Sequence, residues 1–490
     1  MEMTRWDLAV VGGTVVLPYT GAVRCDVAIR DGRVAALVQG LDPSQAAEVI
    51  DARDRLVLPG AVDAHFHLGI YRSLAEDTAS ETRSALAGGV TTVLSYFRTG
   101  QHYLNTSGPY RQIFPEVLRL TEGRAHTDYG FHIAIMTADQ LDEVDWLVRE
   151  QGVGSFKYYM FYKGLNLTAD STRGSDYTMA ETYDLGHLFL LMEQVTAAAQ
   201  RYGHAGRVSL SLHCEHAELI RVFIDRVKQA GRTGLEAYHE ARPPLTERLS
   251  MAEAVLLADV TRCPINLLHL SSREAVTDGA AAKRAYPHLD IRLETTVHHL
   301  ALTHATAGGI AGKVNPPIRT EDDREALWQA VLDGTMDTVV SDHACCFEAQ
   351  KGEDLWKALP GFGGTALLYP YLLSEGVHRR GLSVVRVVEL VSANPARAFG
   401  LFPRKGTLAP GSDADLVVVD PTREQVVAPE VLLSAQDFTP FAGLRLRGWP
   451  THTILGGRLV YAHGAVCAPP TGRYLRRPVG LHAPAPVSSR

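Results

Sequence analysis

The stretch Leu56-Val57-Leu58-Pro59-Gly60-Ala61-Val62-Asp63-Ala64-His65-Phe66-His67 is an apolar run that ends in a His-x-His pair. Side chains alternate faces along a β-strand, so His65 and His67 emerge side by side at the strand end. Imidazole is the commonest protein ligand for metals at neutral pH, and a barrel strand would open the pair onto the face where such barrels carry out chemistry. The pair alone is equally consistent with two surface histidines on an edge strand.

Composition narrows the classes of protein to which the chain can belong. Its 490 residues, 46% hydrophobic and 21% charged, suffice for a large α/β barrel with a second module. The net charge of -7, without a basic stripe, predicts no nucleic-acid partner. The N-terminus lacks the layout of a signal peptide and no apolar run could span a bilayer, so we expect no membrane partner. Six scattered cysteines predict reduced thiols and a cytoplasmic location.

The two ends of the chain share a pattern that the middle lacks. Short alternating strands separated by turns such as Asp31-Gly32 and Gly456-Gly457 occupy both ends. They predict one small β-sandwich domain built from residues 1–59 and 400–475. The Pro- and Ala-rich residues 476–490 predict a mobile tail.

The middle of the chain, residues 60–399, alternates strands with helices and places the protein in the α/β class. Eight strand–helix units predict a (β/α)8 TIM barrel. An open doubly wound sheet would usually carry a Gly-rich fingerprint after its first strand, and this chain has none. The predicted strands are Ala61–His67, Thr91–Phe97, Tyr129–Ile135, Ser155–Met160, Val208–Glu215, Ile265–Ser271, Ile291–Leu300 and Thr338–His343.

Candidate metal ligands lie at the carboxyl ends of these strands. A lone strand-end histidine is usually structural, but five strands that deliver ligands to one barrel face favour a metal centre. The candidates are His65, His67, Lys157, His213, His269 and Asp342.

Lys157 is the unusual member, because a protonated ammonium has no acceptor and cannot bind a metal. Conversion by CO2 to a carbamate would give it two oxygens that could bridge two cations. One metal would then have His65, His67, Asp342 and the carbamate, and the other the carbamate, His213 and His269. Two cations so placed could share a water and hold a nucleophilic hydroxide at neutral pH.

These residues resemble the amidohydrolase superfamily, in the cyclic amidase branch that holds dihydropyrimidinase (hydantoinase), allantoinase and dihydroorotase. The resemblance implies the barrel and sandwich, two zinc ions, a carboxylated Lys157 and a homotetramer or homodimer, although such ligands also accept Mn, Co or Fe. The motifs that carry it are Val62–His67, Ala87–Thr92, Ser155–Lys157, His213–Glu215, His269–Ser271, Lys313–Arg319, Ser341–His343, Asn394–Arg397 and Lys405–Leu416.

The resemblance also implies a small-molecule substrate and a mechanism. A metal-bridging hydroxide attacks a cyclic amide, imide or ureide, and Asp342 moves the proton from the hydroxide to the leaving nitrogen. Dihydropyrimidinases have a tyrosine five residues after the lysine, here Tyr162, which donates a hydrogen bond to the developing oxyanion. The alternative is that Tyr162 is one aromatic residue among several in a loop.

The substrate loops depart from each branch. Dihydroorotase binds the carboxylate of its substrate through an arginine and a histidine. At the corresponding positions this chain has Gly69 and Cys346. Arg98 or Arg72 could supply the positive charge for a substrate carboxylate from a different position, or either could be a solvated loop residue. Cys346 could line the pocket or pack in the core as a small hydrophobic residue. In the family, the loops that here hold Asn315 and Gly361 contact the cyclic amide largely through main-chain groups. Hydrolysis of an acyclic N-acyl or N-carbamoyl substrate, or an inactive dihydropyrimidinase-like scaffold, are the alternative functions.

Overall fold

The computed structural model describes residues 5–162 and 183–482. Its strands, β1 to β20 in chain order, are Trp6–Val11, Thr14–Leu17, Gly21–Arg24, Asp26–Arg30, Arg33–Val38, Ala46–Asp51, Leu56–Pro59, Ala61–His67, Val90–Phe97, Asp128–Ala134, Ser155–Tyr159, Ser209–His213, Ile265–Leu267, Ile291–Thr296, Thr338–Val340, His343–Ala344, Leu416–Val426, Arg445–Leu455, Arg458–Ala462 and Ala465–Val466.

The helices, α1 to α16 in chain order, cover the outside of the barrel and the loops at its ends. They are Leu74–Ala87, Tyr110–Thr121, Ala138–Leu141, Val144–Trp146, Leu185–Tyr202, Ala217–Gln229, Gly234–Ala241, Pro244–Thr261, Arg273–Ala285, Val297–Ala301, Glu321–Leu332, Glu348–Lys351, Leu368–Tyr371, Val384–Val388, Asn394–Ala398 and Pro429–Leu432. Several begin at a side-chain cap that satisfies a free backbone N–H, such as Ser73 before α1 and Thr320 before α11. In the described part of the chain, no helix is both long and apolar enough to cross a membrane.

The predicted (β/α)8 barrel is confirmed. Strands β8 to β15 pair in parallel in chain order, and β16 pairs back onto β8. β15 and β16 are two halves of the eighth barrel strand, interrupted at Ser341-Asp342, where Asp342 has φ +51°. Because helices cover the outside, strands such as β9 are buried on both faces.

The predicted seventh strand, Ile291–Leu300, is too long at its carboxyl end. β14 ends at Thr296, and α10 begins at the next residue. The Thr296 side chain accepts a hydrogen bond from the backbone N–H of His299, as the N-terminal cap of a helix does. Capping therefore prevails over the apolar pattern of Val297–Leu300, and His298 and His299 lie on a helical turn.

The sandwich built from both chain ends is also confirmed. N-terminal β7 pairs antiparallel with C-terminal β17, with Pro59 opposite Leu416. The two sheets have the orders β20-β19-β18-β17-β7-β2-β3 and β5-β4-β1-β6, and they bury a common apolar core. Gly60 joins β7 to β8 where a Cβ would lie 2.1 Å from the Thr91 hydroxyl, so no larger residue fits at this junction. The limits 1–59 and 400–475 remain predictions.

The expected mobile tail from Arg476 is wrong for its first residues. Arg477 has no exposed surface, and its guanidinium donates hydrogen bonds to the Phe131 carbonyl and, at 2.9 Å, to the Ser155 hydroxyl. The Leu475 N–H also donates to the Tyr129 carbonyl. A buried arginine attaches this segment to the barrel, which composition alone could not reveal. Residues 483–490 lie outside the described residues.

Candidate metal centre and active site

One cleft of about 570 Å³ opens at the carboxyl ends of the barrel strands. The sequence-predicted residues that line it are His65, His67, Lys157, His213, His269, Asp342, Tyr162, Arg98, Asn315 and Gly361. All six predicted metal ligands are less than a tenth exposed. Cys346 is not among the lining residues, because it is fully buried behind the wall, with its thiol 3.5 Å from the Gly361 carbonyl. Cys346 therefore packs within the protein and does not line the cleft, contrary to the predicted contact with substrate.

His65, His67 and Asp342 form the first half of the cluster. Asp342 Oδ1 lies 3.1 Å from Nε2 of His65 and 3.2 Å from Nε2 of His67. The break between β15 and β16 turns the Asp342 side chain toward the end of β8. Burial lowers the pKa of both histidines, and most strongly that of His65, so both rings are held in the neutral form that binds metals.

Glu294 on β14 shows that this half of the cluster fits a cation. Its Oε1 lies 2.7 Å from Nδ1 of His65, so an ionised Glu294 carboxylate would hold the proton of that ring on Nδ1. The lone pair on Nε2 then faces the Asp342 oxygen, and two acceptors at this distance repel unless a cation lies beside them. Burial raises the pKa of Glu294 well above its usual value, and a cation on His65 would oppose that rise.

His213 and His269 form the second half. Nδ1 of His213 lies 2.8 Å from Nε2 of His269. The other nitrogen of His213, Nε2, lies 2.7 Å from the Glu215 carboxylate, so the lone pair on Nδ1 faces His269. Burial lowers the pKa of His213 to about 4. Nδ1 of His269 is buried without a hydrogen-bond partner in the described chain. Two neutral imidazoles with facing nitrogens form a donor pair for a second cation.

Glu215 is itself held by an ion pair. Arg242 donates to both carboxylate oxygens, with Nε–Oε1 at 2.9 Å and NH2–Oε2 at 2.5 Å. Burial raises the pKa of Glu215, but Arg242 and His213 outweigh it and bring the pKa to about 2. The carboxylate therefore remains ionised and fixes the ring orientation of His213.

Lys157 on β11 lies within the same cleft. Its Nζ lies 4.2 Å from the centre of the Tyr96 ring and 4.7 Å from that of Tyr159. Burial lowers the pKa of Lys157 to about 7, so a large share of the amine is neutral at neutral pH. A neutral amine is the form that reacts with CO2, so the environment is compatible with the predicted carbamate.

The remaining predicted residues form the walls of the cleft. Tyr162 is partly exposed, with its ring 5.0 Å from that of Tyr159. Asn315 Oδ1 accepts a hydrogen bond of 2.5 Å from the Tyr238 hydroxyl. Gly361 donates its N–H to Lys313, and its carbonyl accepts from Lys351. Both main-chain groups of Gly361 are already paired within the protein. Gly361 therefore contributes to the cleft by letting the backbone approach a ligand closely, in a conformation that its φ of +100° makes favourable for glycine.

Several functional neighbours, Glu215 among them, were not among the predicted site residues, and Glu294 and Tyr103 are two further examples. Glu294 shares the inward face of β14 with Thr296, and a carboxylate on a buried strand is a signal that could have found it. Tyr103 gives no such signal, although its hydroxyl lies 3.0 Å from Nδ1 of His67. It reaches the cleft because His102, Tyr103 and Asn105 all adopt left-handed backbone conformations, with φ from 49° to 70°.

Comparisons with known proteins agree with this geometry. Residues 171–460 match the model of the Amidohydrolase family. An allantoinase of Rubrobacter xylanophilus is 36% identical over 97% of this chain and 98% of its own. A D-hydantoinase of Rhizobium radiobacter is 29% identical over 96% of this chain and 99% of its own. The solved L-hydantoinase (dihydropyrimidinase) of Arthrobacter aurescens has a TM-score of 0.84 and 27% identity, covering 96% of this chain and 100% of that one.

Proposed function

Since the chain belongs to the amidohydrolase family, we propose that it is a metal-dependent hydrolase that opens the ring of a cyclic amide, imide or ureide. The observation that carries the proposal is the convergence of all six predicted ligands in one cleft. The relatives named allantoinase and D-hydantoinase, which align over nearly the whole chain, support the choice of a cyclic substrate.

We assign one cation to His65, His67 and Asp342, and the second to His213 and His269. Lys157, once carboxylated by CO2, would supply oxygen ligands to both. When bound, two divalent cations, which we propose to be zinc, would lower the pKa of a shared water and polarise the amide carbonyl. Glu294 and Glu215 orient the rings of His65 and His213 through their second nitrogens.

The side chains of the cleft carry the proton transfers and stabilise the charge. Asp342 accepts the proton that the attacking water loses and delivers it to the ring nitrogen as the carbon–nitrogen bond breaks. Tyr162 donates a hydrogen bond to the carbonyl oxygen as negative charge develops on it. The product is an open chain with a new carboxylate at the former carbonyl and, at the other end, an amine from a cyclic amide, an amide from an imide or a urea from a ureide.

We also propose that the protein forms an oligomer of identical chains and is located in the cytoplasm. Helix α8 exposes an apolar stripe, which supports an interface between copies of the chain. The stripe consists of Leu245, Leu249, Leu256 and Val260, which are 38 to 72% exposed. All six cysteine thiols are free, as a reducing compartment requires.

The test is hydrolysis of a substrate panel with added zinc and bicarbonate. The panel contains dihydrouracil, hydantoin, allantoin, dihydroorotate and succinimide, with N-acyl and N-carbamoyl amino acids as acyclic controls. We expect ring opening of at least one cyclic member and about two metal ions per chain. Hydrolysis of only the acyclic members contradicts the cyclic assignment, and less than one metal ion per chain with no activity favours an inactive scaffold.

A further inference from the structure

Arg98 is a buried cation in the wall of the cleft. It follows β9 directly and is only 3% exposed. Its NH1 donates to the Gln101 carbonyl at 2.6 Å, which fixes the guanidinium within the turn that follows the strand. The guanidinium carbon lies 5.5 Å from the centre of the Tyr103 ring and 5.7 Å from that of Tyr162. Arg98 is therefore part of the cleft, and the expectation of a solvated loop residue is wrong.

This cation has no anionic partner among the residues that the structure describes. Among residues 5–162 and 183–482, no carboxylate lies within 4.0 Å of Arg98. Arg72, the other cation considered from the sequence, differs in this respect because it lies 2.9 Å from Asp77 and 3.5 Å from Glu81. The described carboxylates thus neutralise the charge of Arg72 and leave that of Arg98 unpaired.

An unpaired buried charge is costly, because water is lost and no protein anion replaces it. Burial lowers the pKa of Arg98, but the surrounding phenols of Tyr162, Tyr103 and Tyr159 outweigh it and raise that pKa above its usual value. Among the described residues, NH1 donates to the Thr99 and Gln101 carbonyls, and the Tyr162 hydroxyl is a further hydrogen-bond partner of the guanidinium. The guanidinium is therefore a fixed, planar, positively charged group that can donate hydrogen bonds to a ligand in the cleft.

We propose that Arg98 determines substrate specificity by binding a carboxylate carried on the ring of the cyclic amide. Guanidinium and carboxylate pair through two parallel hydrogen bonds, which is the geometry that a planar fork favours. The inference rests on the proposed function and adds the substrate class, which is a cyclic ureide with an acidic substituent. Because Arg98 lies beside Tyr162, the bound carboxylate would fix the ring orientation relative to the proposed oxyanion donor.

The test uses matched pairs of substrates that share the scissile ring. Hydantoin is compared with hydantoin-5-acetic acid, and dihydrouracil with dihydroorotate. We expect kcat/KM of the acidic member to exceed that of the neutral member in at least one pair. In the Arg98→Met variant, the acidic-to-neutral ratio should fall by about tenfold or more, as for loss of a charge-assisted hydrogen-bond pair. Arg98→Lys should retain part of the ratio.

The ratio separates recognition from general damage, because a loss common to both members cancels. Arg111→Met is the matched control: Arg111 lies on α2, its side chain is 55% exposed, and its substitution should leave the ratio unchanged. A preference for the neutral member in both pairs, or a ratio that Arg98→Met does not alter, overturns the proposal.

Failure of the proposed function gives a different result. If no ring is opened, calorimetric binding of hydantoin-5-acetic acid and hydantoin to the metal-loaded protein decides the question. Tighter binding of the acid that Arg98→Met abolishes supports the role of Arg98, even though the reaction assignment fails. Equal affinities in the wild-type protein overturn it.

Discussion

Glu294 Oε1 on β14 lies 2.7 Å from Nδ1 of His65 on β8, across the barrel interior. The contact joins residues 229 positions apart in the chain and determines which nitrogen of His65 faces the cleft. Carboxylate partners of this kind orient a metal-binding imidazole and raise its basicity.

We therefore expect Glu294→Gln to lower metal affinity or kcat/KM by about 10- to 100-fold, because the amide is a weaker acceptor than the carboxylate. Metal content after dialysis and steady-state kinetics measure the effect. Glu48→Gln, an exposed position on β6, is the matched control. Wild-type metal content and activity in Glu294→Gln would show that the contact does not support the centre.

Lys157→Ala removes the proposed bridging group. Activity should fall by at least about a hundredfold, because both cations lose an anionic ligand. In ¹³C NMR spectra recorded with labelled bicarbonate, the wild-type protein should give a carbamate resonance that the variant lacks. Lys357→Ala, at a side chain that is 67% exposed, is the control and should retain the resonance. Full activity of Lys157→Ala would contradict the carbamate assignment.

Tyr162→Phe removes only a hydroxyl from the cleft. Loss of one oxyanion donor commonly costs about 10²- to 10³-fold in kcat, so we expect a decrease of that order with a smaller change in KM. Tyr286→Phe, which lies outside the lining of the cleft, provides a comparison for loss of a phenol elsewhere. An unchanged kcat would instead support Tyr162 as an ordinary wall residue.

Chelation should affect both activity and stability. The buried donors of the cleft lose their proposed cations, and a ligand present at a thousand times its Kd stabilises a protein by about 4 kcal/mol. We expect a lower Tm and no hydrolysis after dialysis against a chelator, and recovery of both on addition of zinc and bicarbonate. Differential scanning calorimetry and kinetics on the same samples test this expectation. An unaltered Tm together with unaltered activity would contradict a resident metal centre.

Arg477→Met tests the anchoring of the C-terminal segment. The variant leaves the Phe131 carbonyl and the Ser155 hydroxyl without a buried donor, which should lower the free energy of unfolding by about 1–3 kcal/mol. Urea denaturation followed by tryptophan fluorescence measures the difference. Arg473→Met is the neighbouring control, since that side chain is 64% exposed. Equal denaturation midpoints for wild type and Arg477→Met would show that the segment is not held through this residue.

Much of the architecture followed from local pattern. The apolar run 56–67 and the alternation of strands with helices predicted the barrel, because buried parallel strands and covering helices have distinct periodicities. Where a local hydrogen bond competes with the pattern, as at the Thr296 cap, the predicted strand was too long. The same limit explains the tail, since the buried Arg477 is held by the Phe131 carbonyl and the Ser155 hydroxyl, which lie more than 300 residues earlier in the chain.

The sequence by itself determined which side chains could serve as metal ligands and that they follow barrel strands, because both properties are local. Only the tertiary structure decided which charges are neutralised. It pairs Arg72 with Asp77, places Cys346 behind the wall and brings Arg98 into the cleft, where no carboxylate of residues 5–162 or 183–482 pairs with it. The physical reason is that desolvation and pairing depend on every group within a few ångströms, and these groups come from distant parts of the chain.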